Sequence, residues 1–290
     1  MATRRVHGKR QVEERGHTIN KLELGEYTWM TYIEVAEMVR KVGLGIRHHG
    51  VKPLDRVVIL AETRAEWLIA ALGCLQQRVT VVTLYSTLSD EGIIHGINET
   101  EVSFILTSYN MLPRLTTGLL LRCPKVKTVV VMEDQLEGVG LHNDLPRGMT
   151  MVPFQDLIKP NSKDASVDFP KVKAEDVAIL MYTSGSTGIP KGVELTHTNI
   201  LSCIVDYSAE IDIGPKDRYL AFLPLAHVME LGTEMSLLAL GAAILYSSPY
   251  TLTKGSPNVM EGSKGDASVA KPTVMNAVPL VLDRILKTIL

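Results

Sequence analysis

Asp176-Val177-Ala178-Ile179-Leu180-Met181-Tyr182-Thr183-Ser184-Gly185-Ser186-Thr187-Gly188-Ile189-Pro190-Lys191-Gly192-Val193 is the stretch on which the reading turns. Its first seven residues form an apolar run of strand length, and the run passes straight into a cluster of small and hydroxyl residues closed by Pro-Lys-Gly. Such a loop turns several backbone N–H groups inward, adds hydroxyl donors and supplies one cation, chemistry suited to polyphosphate. It is not the G-x-x-x-x-G-K-[ST] loop. Pro190 replaces the glycine before Lys191, Gly192 replaces the Ser or Thr after it, and Pro190 lacks the N–H needed there. A Ser/Gly-rich surface turn is the bland alternative, and the ordered Pro-Lys-Gly behind a buried strand argues against it.

Upstream, helix and strand patterns alternate. Thr31-Tyr32-Ile33-Glu34 is a capping box, followed by an apolar face through Val35, Val39, Val42 and Ile46 that ends near Gly50. Arg56–Leu60, Arg78–Leu84, Ser103–Leu106 and Thr128–Met132 read as buried strands. Thr63-Arg64-Ala65-Glu66 reads as a second capping box, and Ser89-Asp90-Glu91 opens a third helix with acidic groups at its positive end. The alternation predicts an α/β fold with mainly parallel sheets flanked by helices. Glu133–Ala174 is less periodic, with four prolines, and reads as a long connection. The expected division is 1–170 as a first α/β subdomain and 171–290 as the subdomain carrying the loop. Met235–Tyr246 reads as helix end, turn at Gly241 and strand. Lys271–Val278 reads as a strand and Pro279 as the first position of a final helix.

The 290 residues carry 30 Lys plus Arg against 32 Asp plus Glu, a net charge of −2 that excludes the basic excess of a nucleic-acid binder. The 46% hydrophobic content excludes global disorder. Three scattered cysteines, Cys74, Cys123 and Cys203, exclude a disulfide framework or a Cys-based zinc site and favour a reducing compartment. No apolar run reaches the ~20 residues of a membrane helix, and the basic N-terminus has no apolar stretch behind it to make a signal peptide.

Tyr182–Val193 resembles the phosphate-loop signature of the adenylate-forming (AMP-binding) superfamily. Phe222-Leu223-Pro224-Leu225-Ala226-His227-Val228-Met229-Glu230-Leu231 is similar to the Leu-Pro-Leu-Ala-His segment of its long-chain fatty-acid–CoA ligases. Glu62–Trp67, Val82–Leu88, Tyr246–Pro249, Lys264–Asp266 and Lys271–Met275 fit the same family, so the likeness spans almost the whole chain and is weakest between Met111 and Lys171.

The resemblance implies the large N-terminal domain of an adenylate-forming enzyme. It implies a reaction in which a long-chain fatty acid attacks ATP to give acyl-adenylate and pyrophosphate, after which CoA displaces AMP. By the family's pattern Thr183, Ser184, Gly185, Ser186, Thr187 and Gly188 hold the β and γ phosphates, Lys191 neutralises or orders the loop, and Mg²⁺ accompanies ATP. His227 corresponds to the family's histidine near the α-phosphate and the acyl carboxylate; Glu230, one turn on, reads as structural, and Met229 and Met235 as core. The family also implies a place on the cytoplasmic side of the endoplasmic reticulum or another intracellular membrane, whereas the chain itself, with no anchor, reads as soluble and cytoplasmic.

Competing motifs fail. Leu231 stands where an H-x-x-E-H zinc site needs its second histidine, Gly185–Gly188 lacks the G-x-S-x-G frame, and Gly43-Leu44-Gly45 lies inside a helical pattern. The family's adenine-stacking segment, magnesium-binding Glu, ribose-binding Asp, hinge and C-terminal domain with its catalytic Lys have no counterpart among these residues. The expectation is therefore the N-terminal portion of a ligase, incomplete at its C-terminus. A non-catalytic remnant or interaction module, or a ligase for another carboxylic acid, are the alternatives.

Overall fold

The computed structural model describes residues 1–14, 16–136, 138–141, 144–159, 168–183, 190–279 and 281–283. In chain order these form β1 (Ala2–Glu14), β2 (His17–Trp29), α1 (Tyr32–His48), β3 (Arg56–Leu60), α2 (Ala65–Gln76), β4 (Thr80–Thr83), α3 (Asp90–Glu99), β5 (Phe104–Ser108) and α4 (Leu112–Arg114). Then come β6 (Thr128–Met132), β7 (Thr150–Pro153), α5 (Phe154–Leu157), β8 (Val177–Thr183), β9 (Lys191–Thr196), α6 (His197–Glu210), β10 (Arg218–Ala221), α7 (Val228–Leu240), β11 (Ala243–Tyr246) and α8 (Asp266–Ala270).

Seven strands make one sheet in the order β7-β6-β5-β3-β4-β8-β9, parallel throughout except for β9, which runs antiparallel to β8. β3, β4, β5, β6 and β8 are buried on both faces, which is why they read as unbroken apolar runs, whereas the edge strands β7 and β9 are more exposed. Along β3, Val57 and Ile59 face one core cluster with Trp67 and Leu68 of α2, while Val58 and Leu60 face another with Ile93 and Ile97 of α3. All four are fully buried, each worth about 1.5–3 kcal/mol of apolar transfer. The chain passes from β3 to β4 on one side and then back across β3 to β5, so the order reverses at β3. Ligands of open α/β sheets bind at the carboxyl ends of the strands beside such a reversal.

The second sheet, β10-β11-β1-β2, joins the two ends of the chain: β1 lies parallel to β11 and antiparallel to β2. Arg4 of β1 is buried with Asp266, which also accepts from the hydroxyls of Ser247 (2.7 Å) and Thr251. Both sheets take strands from either side of residue 170, so a division there does not coincide with a sheet boundary.

The first capping box is formed: Glu34 N–H donates to Thr31 Oγ1 at 3.3 Å and Thr31 N–H to Glu34 Oε2 at 2.7 Å. Ser89 caps α3 through Gly92 N–H, and Gly43-Leu44-Gly45 lies inside α1. Gly241, at φ 78°, ends α7 in the left-handed conformation and lets β11 start two residues later.

Four expectations need correction. The second capping box does not form, because Thr63 is engaged elsewhere and Glu66 is bound to Arg64 at 2.9 and 3.0 Å. Residues 133–174 contain β7 and α5, since Val152 completes the sheet edge against β6. Lys271–Val278 is not a strand. It meets the second sheet at the single bridge Val274–Tyr219, with Thr273 Oγ1 accepting from Arg218 N–H. Met235 is core, but Met229 is 44% exposed. Pro279 is helical, and most of the expected final helix lies outside the described residues.

Candidate active site

β8 and β9 form a hairpin whose last pair is Thr183 opposite Lys191, so the signature loop is the connection at the carboxyl end of β8. Thr183 Oγ1 donates to Lys191 O at 3.4 Å, and both side chains are exposed at the mouth of the hairpin. Ser184, Gly185, Ser186, Thr187 and Gly188 lie outside the described residues. Gly192 answers to packing. A Cβ there would stand 2.6 Å from Leu180 Cδ2 and 3.4 Å from Tyr182 Cζ, so only glycine lets β9 lie this close to the two side chains. The Tyr182 hydroxyl donates to Glu99 at the end of α3, where His95 Nε2 also lies 3.5 Å from Glu99. Burial and the Glu99 carboxylate push the Tyr182 phenol above its ordinary value. The hairpin root is thereby fastened to α3.

His227 reaches the same end of the sheet by another route. Phe222, Leu223, Leu225 and Ala226 are buried behind β10, and Pro224 turns the chain so that His227 becomes the N-cap of α7. Two threonines at the carboxyl ends of neighbouring strands grip this turn. Thr63, after β3, donates through Oγ1 to Leu223 O at 2.5 Å and accepts from Leu225 N–H at 3.0 Å. Thr83, the last residue of β4, donates to Ala226 O at 3.4 Å. β4 is the strand beside β8, with Thr83 opposite Met181. The two candidate segments thus open on adjacent strand ends.

The His227 ring is exposed. Its Nδ1 accepts from Met229 N–H at 3.1 Å, so the neutral ring carries its proton on Nε2, which faces outward as a donor. Tyr85, two residues past β4, meets the ring edge-on at 6.4 Å between centroids. The structure therefore brings Thr183 and Lys191 together in one hairpin and sets His227 on the same edge of the sheet. Thr63 was read from the sequence only as a helix cap, and Thr83 and Tyr85 only as part of a family-like stretch, none of them as a site residue; their position at or just past strand ends was the available signal.

Below His227, Glu230 and Glu234 are buried on α7. The Tyr219 hydroxyl donates to Glu230 Oε2 and the Tyr246 hydroxyl to Glu234 Oε2, each at 2.7 Å. Burial pushes the Glu230 carboxyl up to about 7, and burial with its neighbour's charge holds Glu234 well above the ordinary carboxylate value. Among the described residues no group of three or more His, Cys, Asp or Glu could hold a metal ion, and no helix is long and apolar enough to cross a membrane.

The family model described as "AMP-binding enzyme" matches residues 8–289. Among curated proteins, the chain is 39% identical over 279 residues to "Long chain acyl-CoA synthetase 8" of Arabidopsis thaliana, covering 95% of this chain and 38% of that protein. It is 34% identical over 290 residues to "Long-chain-fatty-acid--CoA ligase 2" of Schizosaccharomyces pombe, covering 99% of this chain and 41% of that one. The chain thus spans about two-fifths of the length of these relatives. Among solved structures, the adenylation domain of a carboxylate reductase from Mycobacterium chelonae superposes with a TM-score of 0.77 at 19% identity, over 99% of this chain and 44% of that one. The corresponding domain from Segniliparus rugosus, "in complex with AMP and a co-purified carboxylic acid", gives 0.75 at 18% identity, over 99% and 47%. At these identities the structural matches speak for the fold alone.

Proposed function

The chain belongs to the AMP-binding enzyme family, and from that premise we propose that it carries the phosphate-binding and acid-orienting part of a long-chain fatty-acid–CoA ligase. The observation that carries this reading is the opening of the β8–β9 hairpin and the His227 turn on adjacent strand ends of one parallel sheet. In the reaction, the fatty-acid carboxylate attacks the α-phosphorus of ATP, the bond to pyrophosphate breaks, and CoA thiol then displaces AMP from the acyl-adenylate.

Charge grows on the leaving pyrophosphate, and donors already aimed there lower the barrier without reorganising. Thr183 and the loop after it supply those donors, with Lys191 as the counter-charge. The outward Nε2–H of His227 is suited to donate to an oxygen of the α-phosphate or the acyl group, a role that requires the ring to stay capped through Nδ1. Magnesium accompanies ATP as part of the substrate complex. The described residues provide no cluster of three or more His, Cys, Asp or Glu to bind it. Long-chain substrates also suit contact with a membrane surface, on the cytoplasmic side of an intracellular membrane.

The test is twofold. ATP binding to the purified chain is measured by calorimetry, and palmitate-dependent ATP–pyrophosphate exchange is measured on the same material. Lys191→Ala is expected to weaken ATP binding tenfold or more, the loss of about 1.4 kcal/mol from one charge-assisted contact. Unchanged binding removes Lys191 from the site. ATP binding without exchange at any acid chain length favours a non-catalytic interaction module, and exchange with short or aryl acids alone points to a different acid substrate.

A further inference from the structure

The hairpin that carries the signature loop rests on one face of α3. Gly92, Gly96 and Glu99 recur on that face at helical spacing. Glycine is a poor helix former, so two of them inside one short helix answer to close approach from outside. A Cβ on Gly92 would stand 3.4 Å from Pro190 Cγ, and one on Gly96 would stand 2.6 Å from Leu84 Cδ2 and 3.5 Å from Tyr182 Cε2. The buried Tyr182 ring fits between Gly96 and Gly192, whose Cβ would meet its Cζ at 3.4 Å, and the His95 ring closes on it edge-on at 6.2 Å between centroids. The Tyr182 hydroxyl ends on the Glu99 carboxylate, a charge-assisted bond. Beyond the ring, Gly192 and Glu194 border an open groove of about 500 Å³ with Arg56 and Thr100, which leaves β9 little cover on this face.

We propose that Tyr182 and Glu99 are positioning residues for the phosphate loop, and that α3, through their bond, sets where Thr183 and Lys191 meet the polyphosphate. The inference rests on the reading of the loop as an ATP-binding element. Tyr182 pairs with Gly192, and the next pair outward is Thr183 with Lys191. A shift at Tyr182 therefore moves both legs of the loop at once, and a preorganised site tolerates only about 0.5 Å of displacement. The bond joins two separate elements, the end of β8 and the end of α3, so its loss frees one from the other.

ATP binding is measured by calorimetry on the full chain, on Tyr182→Phe, Glu99→Ala and Glu99→Gln, and on the Y182F/E99A double variant, with thermal unfolding recorded without ATP. Phe keeps the ring in its slot and removes the bond. The Glu99 side chain is 53% exposed, so its truncation leaves the core intact. The expected result is an affinity loss of about fivefold in Y182F and in E99A, with no further loss in the double variant. E99Q, whose amide oxygen still accepts the hydroxyl, is expected within about twofold of the parent. A merely structural bond would lower the unfolding midpoint and leave the affinity of the folded chain at the parent value. That outcome, additive losses in the double variant, or an E99Q as weak as E99A would each overturn the proposal while the phosphate-loop reading stands. A parent chain that binds no ATP overturns that reading, and the proposal with it.

Discussion

Thr63→Val removes one hydroxyl and keeps the shape of the side chain. That hydroxyl makes two bonds across 160 and 162 residues of sequence, to the carbonyl of Leu223 and the N–H of Leu225. Valine leaves both backbone groups facing a methyl. An unsatisfied buried polar group costs about 1–3 kcal/mol, and Thr63 is only partly buried, so the low end applies to each group. The expected loss is about 2–3 kcal/mol, which lowers the melting temperature by roughly 3–5 °C for a chain of this size. Urea denaturation followed by far-UV circular dichroism measures it, with a lower midpoint and an unchanged m-value. Thr63→Ser keeps the hydroxyl and is expected within about 1 kcal/mol of the parent. A Val variant within about 0.5 kcal/mol of the parent would show that Thr63 is a bystander, and the argument that it holds the His227 turn would fall.

Two further perturbations probe the hairpin. Asp176 takes Arg78 bidentately at 2.7 and 2.9 Å and accepts from Lys173 N–H, and the Arg78 hydrogen bond leads in holding its carboxyl down at about 2. Its contribution is complete above pH 3.8 and vanishes as pH falls through about 2, so Asp176→Asn is expected to be less stable at pH 5 and equal to the parent near pH 2; parallel pH–stability curves would refute it. Gly192→Ala forces Leu180 and Tyr182 apart and is expected to cost about 1–3 kcal/mol in denaturant titration; a neutral substitution would show that the hairpin is loosely packed.

The parallel sheet was legible because its strands are short, apolar and buried on both faces; Thr128–Met132 was read with the bounds it has. The N-terminal hairpin was not. Along β1 buried residues give way to polar, exposed ones beyond Val6, and its partner in the sheet is β11, more than 200 residues away. Thr63 shows how a local motif is overridden. Its spacing to Glu66 is that of a cap, yet the turn carrying His227 offers the hydroxyl two bonds where the helix offers one. Tertiary geometry of that kind leaves no trace in the local pattern. The glycine of Pro-Lys-Gly was legible as part of a signature, but its cause, the Leu180 and Tyr182 side chains lying across β9, needed the structure. Glu230 was read as structural and Glu234 was not singled out; the burial of both follows from α7 packing against β11, which spacing alone does not reveal.

The four-stranded sheet has a consequence for how the molecule is made. β1 and β2 emerge before the strands of the large sheet, but β11, which meets β1 at the Ala2–Leu245 pair, ends at Tyr246. At about 5–20 residues per second, ribosomal synthesis leaves the hairpin with an unpaired edge for roughly 10–40 s, while β3 to β7 have time to assemble beside it. Long-range pairing of this kind folds slowly and exposes a template for other chains. Arg5, Lys9, Arg10, Glu13 and Glu14 along β1 are charged side chains of the kind that blunt an open strand edge.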